Sequence, residues 1–394
     1  MTVARIASIA TAVPPFRMTR EDWLAIADRI SPAEVDRALL ARLAERSGIE
    51  ARHCAAFAGG EGERSGIDAS FHESADRPRT GARVALWSRA ARAMATESAA
   101  TALARAGIAG DEASRRVTHL VTASCTGFES PGIDAHLIAT LGLAPTVSRL
   151  NVGFMGCHAL VNALAAARHA VIAEPRATAL VVATEVSSAH FHHSARLDQL
   201  VANTLFADGS AAIVVEGGCV GNAADTGGGG GSRGAGCGAD SLAIVATHSI
   251  RFAASADDMA WRIGDHGFEM TLGASVPGRL EREVGGWVRG ALAPHGRTVA
   301  EIGGWAIHPG GPRVLDAVAA SLGLDQTAVA ASRAVLRDHG NMSSATLGFI
   351  LERLAAAGTP LPWVALAFGP GLVGEMLLVD RPSRTASRTP ARAD

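Results

Sequence analysis

The sequence predicts a layered α/β fold, and three observations support that reading. Short apolar runs of strand length alternate with longer stretches of helical period along most of the chain. Hydrophobic residues make up 48 % of the 394 and charged residues 19 %, enough apolar material for a large core and too little charge for a disordered chain. A glycine-rich stretch, Gly217–Ala239, divides these elements into two sets of similar make-up.

In chain order, Ile6–Val13 before Pro14-Pro15 reads as a first strand and turn; it is too short and too rich in Ser and Thr for a signal peptide. Helical periodicity follows at Pro32–Arg46, Ala82–Ala106, Ala135–Leu141 and Ala159–Ala173. Strands fall at Val117–Ser124, Leu150–Phe154, Ala179–Thr184 and Ala211–Val215. Past the glycines come strands Leu242–Thr247, Gly304–Ile307, Val364–Phe368 and Glu375–Val379, with helices Val276–Leu292, Pro312–Leu322 and Ala345–Ala356. Residues 1–238 then form a first half that ends in the loop 217–239, and residues 239–380 a second. Glu61–Thr80 reads as an exposed loop, and Arg381–Asp394 as a disordered tail. Five successive glycines, Gly227–Gly231, cannot pack, and no helix follows them to complete a phosphate cradle. Each half also leads a strand into a reactive residue and then a helix. The first runs Leu150–Phe154, Cys157, Ala159–Ala173; the second runs Gly304–Ile307, His308, Pro312–Leu322. This parallel suggests an internal duplication.

Composition excludes several functions. The 36 cationic against 38 acidic residues leave a net charge of −2, so nucleic acid is not an expected partner. Every cation is Arg, which rules out a lysine Schiff base. Cys54, Cys125, Cys157, Cys219 and Cys237 are scattered without a CxxC pair, as expected of a reducing cytoplasm rather than a disulfide framework or zinc ribbon. No uninterrupted apolar run reaches the roughly 18 residues of a membrane span, so a soluble protein is expected.

Three residues stand where chemistry is possible. Cys157 follows Gly156 at a strand-to-helix turn, where unpaired N–H groups at a helix N-terminus favour thiolate; a small buried hydrophobe is the plainer reading. His308, in Ile307-His308-Pro309-Gly310-Gly311-Pro312, is delivered by an apolar strand to a turn that opens a helix; it could pair with a thiolate, or sit in the core bonded to backbone. Asn341, in Gly340-Asn341-Met342-Ser343-Ser344, could aim its amide into a cavity or cap the helix that follows. The run His190-Phe191-His192-His193 is a poor metal site, because adjacent imidazoles cannot all face one ion.

Taken together these stretches resemble the type III polyketide synthases, the chalcone synthase family. Phe368-Gly369-Pro370-Gly371, Leu205-Phe206-Ala207-Asp208-Gly209-Ser210-Ala211-Ala212 and Ser124-Cys125-Thr126-Gly127 add to the match, which runs in family order from about Ile6 to Val379. The surroundings of Cys157 resemble bacterial members. The resemblance implies a thiolase-like fold of two related αβαβα halves and a homodimer. It also implies that Cys157 holds the acyl chain as a thioester, while His308 and Asn341 stabilise the enolate formed when malonyl-CoA loses carbon dioxide. No metal or other cofactor is implied, since the substrates are the CoA thioesters themselves.

The same resemblance makes Phe206 a gatekeeper and Met270, rather than Phe268, the second. It places Cys125, Ser130, Ser187 and His190 at the cavity wall, Ser130 standing where plant members reach into the partner's cavity. Arg42 and Arg46 match cations that pair with CoA phosphates, a third such position falling on Leu39; Gly310, Ser343 and Pro370 fall along the CoA path. A fatty acyl starter with an alkylresorcinol or alkylpyrone product is the first expectation; an aromatic starter, or malonyl alone giving a phloroglucinol- or naphthalene-type product, is open. Two rivals are the initiating β-ketoacyl-acyl carrier protein synthase of fatty-acid synthesis, which condenses once onto a carrier-bound malonyl group, and a catalytically dead homologue serving as an interaction subunit.

Overall fold

A computed structural model describes residues 2–57, 70–73, 77–219 and 241–382. The strands are β1 (Thr2–Ala12), β2 (Arg17–Thr19), β3 (Ala51–His53), β4 (His119–Ser124), β5 (Ser148–Gly153), β6 (Thr178–Val186), β7 (Asp208–Cys219), β8 (Leu242–Arg251), β9 (Met259–Gly264), β10 (Gly267–Leu272), β11 (Gly304–Ile307), β12 (Trp363–Gly369) and β13 (Val373–Asp380). The helices are α1 (Arg20–Ile30), α2 (Arg37–Arg46), α3 (Ser70–Glu73), α4 (Thr80–Arg105), α5 (Glu112–Arg116), α6 (Ile133–Leu141), α7 (Ala159–Ala173), α8 (Leu197–Leu205), α9 (Val276–Leu292), α10 (Pro312–Leu322), α11 (Ala330–His339) and α12 (Thr346–Ala356).

Nine strands form one sheet in the order β11-β12-β13-β8-β1-β7-β6-β4-β5. Outward from the β1–β8 junction, both arms repeat one pattern. On one side β1–β7 and β7–β6 are antiparallel and β6–β4 parallel; on the other, β8–β13 and β13–β12 are antiparallel and β12–β11 parallel. This repeat is the two-halved, thiolase-like architecture, and it corrects the expected correspondence between the halves. β11, which leads to His308, occupies the place of β4, not of β5, which leads to Cys157. The counterpart of the Cys157 turn before α7 is the Ser343–Ala345 turn before α12, each followed by an equivalent strand, β6 or β12.

Strand alternation sorts side chains into layers. In β6, Leu180 and Val182 face an outer core with α1, α4 and α6, whereas Ala179, Val181 and Ala183 face a central core with α7 and α12. In β12, Trp363, Ala365 and Ala367 face that same central layer, whereas Val364, Leu366 and Phe368 join α9 and α10 on the far side. Five layers result, the two arms of the sheet supplying the second and fourth: helix, first arm, helix, second arm, helix. Alanine on the inner faces lets α7 pack close against β6 and β4, and α12 against β1 and β7.

Several boundaries differ from expectation. The helix expected at Pro32–Arg46 begins at Arg37, because Asp36 caps it by accepting from the Ala38 N–H at 2.9 Å. Gly217 and Gly218, read as loop, continue β7: Gly217 pairs with Ala4, and a Cβ there would lie 2.4 Å from the Pro175 carbonyl oxygen, a close approach that needs glycine. The rest of the glycine stretch, most of Glu61–Thr80 and the tail from residue 383 lie outside the described residues. The β9–β10 hairpin and helices α1, α8 and α11 were not legible as periodic segments. No helix among the described residues is long and apolar enough to cross a membrane.

Candidate active site

Cys157 stands in a single 3₁₀ turn, Gly156–His158, between β5 and α7. Gly156 has φ +78°, and a Cβ there would lie 2.2 Å from Pro370 Cδ, so the turn that presents the thiol requires glycine. His308 leaves the end of β11 with its N–H bonded to the Leu366 carbonyl at 2.8 Å. Asn341 follows α11; its N–H donates to the Leu205 carbonyl at 2.9 Å and its carbonyl accepts from Ala207 N–H at 2.8 Å. These bonds lock it beside Phe206. Its side-chain oxygen accepts from the Ser343 N–H at 2.9 Å, closing a local turn just ahead of the helix, and Asn341 lines the cavity with no hydrogen bond made by its NH₂ group among the described residues.

Tertiary folding brings these three together. Cys157, His308 and Asn341 line one narrow cavity with Phe206, Met270, Gly310 and Phe368. An adjoining chamber is lined by Cys157, Cys125, Ser187, Ser343 and Pro370, and a third, behind, by Ser187, His190, Arg52 and a set of aromatic rings. Phe206 and Met270 line all three and stand between them.

Burial dominates the electrostatics. It pushes the Cys157 thiol up to about 12, against a hydrogen bond from Ser343 that favours thiolate. The expected lowering by the helix N-terminus is therefore outweighed in the closed chamber. Burial also pushes His308 down to about 3, with His158 adding to the shift, and both of its ring nitrogens are buried without a partner. His158, next to Cys157 in the sequence, is buried within electrostatic reach of His308.

The remaining predicted residues divide. Cys125 faces the Cys157 chamber, its sulfur accepting from Gly156 N–H at 2.9 Å. His190 accepts from Phe268 N–H through Nδ1, so its Nε2–H donates to the Thr126 carbonyl; burial holds it neutral, down to about 3. His192 and His193 turn to the Phe268 and Ile30 carbonyls, so all three imidazoles are committed to backbone groups rather than converging on one point. Ser130 is not brought to these chambers; it lines a depression with Phe128, Arg149 and Asn151. Arg42 and Arg46 lie on the exposed side of α2, Arg42 at 3.9 Å from Asp36, and neither lines the cavity. That face is set by α2 burying Leu40 and Ala44 instead.

Two residues escaped sequence reasoning. Glu185 is fully buried on β6 and accepts from Cys125 N–H at 2.9 Å, Thr126 N–H at 3.1 Å, Thr126 Oγ1–H at 2.7 Å and the Ser344 hydroxyl. It ties the turn after β4 to the start of α12, and a lone carboxylate ending the apolar run Ala179–Thr184 was its signal. Trp261, on β9, lines two chambers and donates its indole N–H to the Cys125 carbonyl at 2.7 Å. Its strand carried no clear pattern.

The fold and this site define a class. Residues 3–219 match the N-terminal domain of the chalcone and stilbene synthases and residues 245–381 the C-terminal domain. The chain belongs to that family, the type III polyketide synthases, which are acyl-transferring condensing enzymes. It is 33 % identical, over 95 % of its length and 92 % of the relative, to a 1,3,6,8-tetrahydroxynaphthalene synthase of Streptomyces peucetius subsp. caesius. It is 31 % identical, over 96 % and 91 %, to the α-pyrone synthesis polyketide synthase-like Pks18 of Mycobacterium tuberculosis. The crystal structure of PKS-I from the brown alga Ectocarpus siliculosus superposes with a TM-score of 0.86 at 28 % identity, covering 97 % of this chain and 99 % of that one. The carrier-protein rival gains no support from these matches.

Proposed function

We propose that Cys157 is the nucleophile of this synthase, and that His308 and Asn341 form its enolate hole. The observation that supports this is the convergence of the three on one narrow, mostly apolar cavity, with both His308 ring nitrogens and the Asn341 NH₂ group uncommitted to protein. Cys157 and His308 are each neutral in isolation, because each charge alone is expensive to bury. A proton passed from Sγ to the imidazole creates a thiolate–imidazolium pair in which each charge offsets the other. The thiolate attacks an acyl-CoA, CoA leaves as its thiol, and the imidazole returns to neutral. Malonyl-CoA then loses carbon dioxide; the electron pair of the broken C–C bond passes into the thioester as an enolate, whose oxygen accepts from one His308 N–H and from Asn341. The enolate carbon attacks the Cys157 thioester and expels the thiolate. The chain, now on CoA, returns to Cys157 for the next round, and cyclisation ends the sequence.

An acyl-CoA starter giving a resorcinol- or pyrone-type product is the first reading. A malonyl-primed route to a phenol or naphthol is the second, favoured by the ring-crowded lining behind Phe206, where Trp23, Phe57, Phe191, Trp261 and Phe268 suit a short chain that closes into aromatic rings better than a long alkyl tail. A homodimer is supported by β5, an exposed edge strand carrying Leu150 (47 % exposed), next to exposed Phe128, Phe154 and Met155. Free thiols at Cys54, Cys125 and Cys157 suit a reducing cytoplasm.

The test is mass spectrometry of products from malonyl-CoA with starters from acetyl- to long-chain acyl-CoA, benzoyl- and coumaroyl-CoA, beside Cys157→Ala. Multiply extended products that vanish in the variant establish the reading and identify the starter. Turnover with malonyl-carrier protein alone would move the protein to the single-condensation class, and product surviving in Cys157→Ala would remove Cys157 as nucleophile.

A further inference from the structure

Arg52, on β3, is 4 % exposed, and among the described residues it has no ion-pair partner. The buried Asp208 acts on it only through space. Burying an unpaired guanidinium is unfavourable, and such a group persists where its donors hold something. Its Nη1 donates to two main-chain carbonyls, Asn203 at 3.2 Å and Phe206 at 3.0 Å. Both belong to the C-terminal end of α8, where a cation suits the helix dipole and Phe206 itself is the capping residue. The guanidinium lies 5.6 Å from the Trp23 ring centre, and the Trp23 indole N–H donates to the same Asn203 carbonyl at 3.1 Å.

The same helix holds the second residue between the chambers. Gln199, 3 % exposed, donates its side-chain N–H to the Met270 carbonyl. Asn203 clasps His192 through both of its amide atoms, at 3.0 Å and 2.8 Å, which leaves α8 little freedom to rotate. Thus Phe206 caps the end of α8, Met270 is tethered to its first turn, and Arg52 closes its last turn.

We propose that Arg52 is a positioning residue that sets the pose of Phe206, and that α8 passes this setting to Met270, so that the two act as one gate between the Cys157 chamber and the one behind. This rests on the reading of Phe206 and Met270 as the gate beside a reactive Cys157. Freeing the Phe206 carbonyl lets the ring leave its rest position and widens access to the thiol.

The experiment measures alkylation of Cys157 by iodoacetamide, resolved by peptide mass spectrometry, in wild type, Arg52→Met, Arg52→Lys, Gln199→Leu, Phe206→Ala and the Arg52→Met/Phe206→Ala double variant. Arg52→Met is expected to raise the rate about 5-fold or more, Arg52→Lys to stay within about 2-fold of wild type, and the double variant to match Phe206→Ala alone, since coupled residues are non-additive. Should Arg52→Met fail to fold, Gln199→Leu, which leaves Arg52 in place, carries the same expectation of faster alkylation. Unchanged rates in the variants that fold, or effects of Arg52 and Phe206 that simply multiply, would overturn the proposal. Alkylation requires no polyketide formation. A wild type that makes no product but shows the non-additive pattern would therefore sink the synthase reading and leave the gate standing.

Discussion

At the residue scale, the site is a set of polar groups made potent by removal from water. Neither Cys157, pushed up to about 12, nor His308, pushed down to about 3, is charged alone. Each becomes chargeable only in the presence of the other. Replacing His308 by Gln is therefore expected to raise the pH midpoint of Cys157 alkylation by about 1–3 units, the range an opposite charge at close distance supplies. A rate–pH profile of the alkylated Cys157 peptide reads this directly, and an unmoved midpoint would separate the two residues electrostatically. Each of the three catalytic candidates sits in a glycine- or proline-containing turn that allows a plainer reading when taken alone; it was their combination, in family order, that singled them out. Glu185 was not legible: it sits in an apolar strand, and its meaning comes from Thr126 and Ser344, far away in sequence.

At the scale of elements, strands deliver and turns aim. Gly156 at φ +78° stands against Pro370, so Gly156→Ala must move either the Cys157 turn or the Pro370 turn. A destabilisation of about 1–3 kcal/mol is expected from such overpacking, together with loss of condensation. Urea unfolding and a product assay check both parts, and a variant with wild-type stability and rate would contradict this account of the turn. Helices α7, α9 and α10 were legible to the residue, Ala159–Ala173, Val276–Leu292 and Pro312–Leu322, because periodicity and their N-terminal turns agree. Helix α8 was missed, although it bears Gln199 and is capped by Phe206.

At the scale of the whole molecule, burial of neutral imidazoles makes the fold sensitive to acid. His190 and His308 are pushed down to about 3 and His339 to about 4, from an ordinary value of 6.5. Their contribution to stability is complete above pH 6.5 and is lost as pH falls below it, because the unfolded chain then binds protons that the native state refuses. Asp208, raised from 3.8 to about 6, acts in the opposite sense, its contribution being lost as pH rises through about 6. Three strongly shifted histidines outweigh it, so the denaturant midpoint is expected to be lower at pH 5 than at pH 7; an equal or higher midpoint at pH 5 would refute this balance. The exposed edge at β5 leads to a second expectation. Leu150→Arg should yield monomers in sedimentation analysis, and a dimer that survives the charge would place the interface elsewhere.

The sequence by itself determined the layered α/β class and most strands and helices, and its short motifs, taken with the family resemblance, singled out Cys157, His308 and Asn341 as the catalytic candidates. These rest on local periodicity and on turn chemistry, which neighbouring residues specify. Only the tertiary structure decided which half-elements correspond, that Ser130 lines a depression beside β5 while Arg42 and Arg46 lie on the exposed side of α2, and that Arg52, Glu185 and Trp261 stand at the cavity or support it. The physical reason is that a buried polar group takes its role from the partners it meets, and Arg52 meets Phe206 across 154 positions of chain. No window of local sequence contains that encounter.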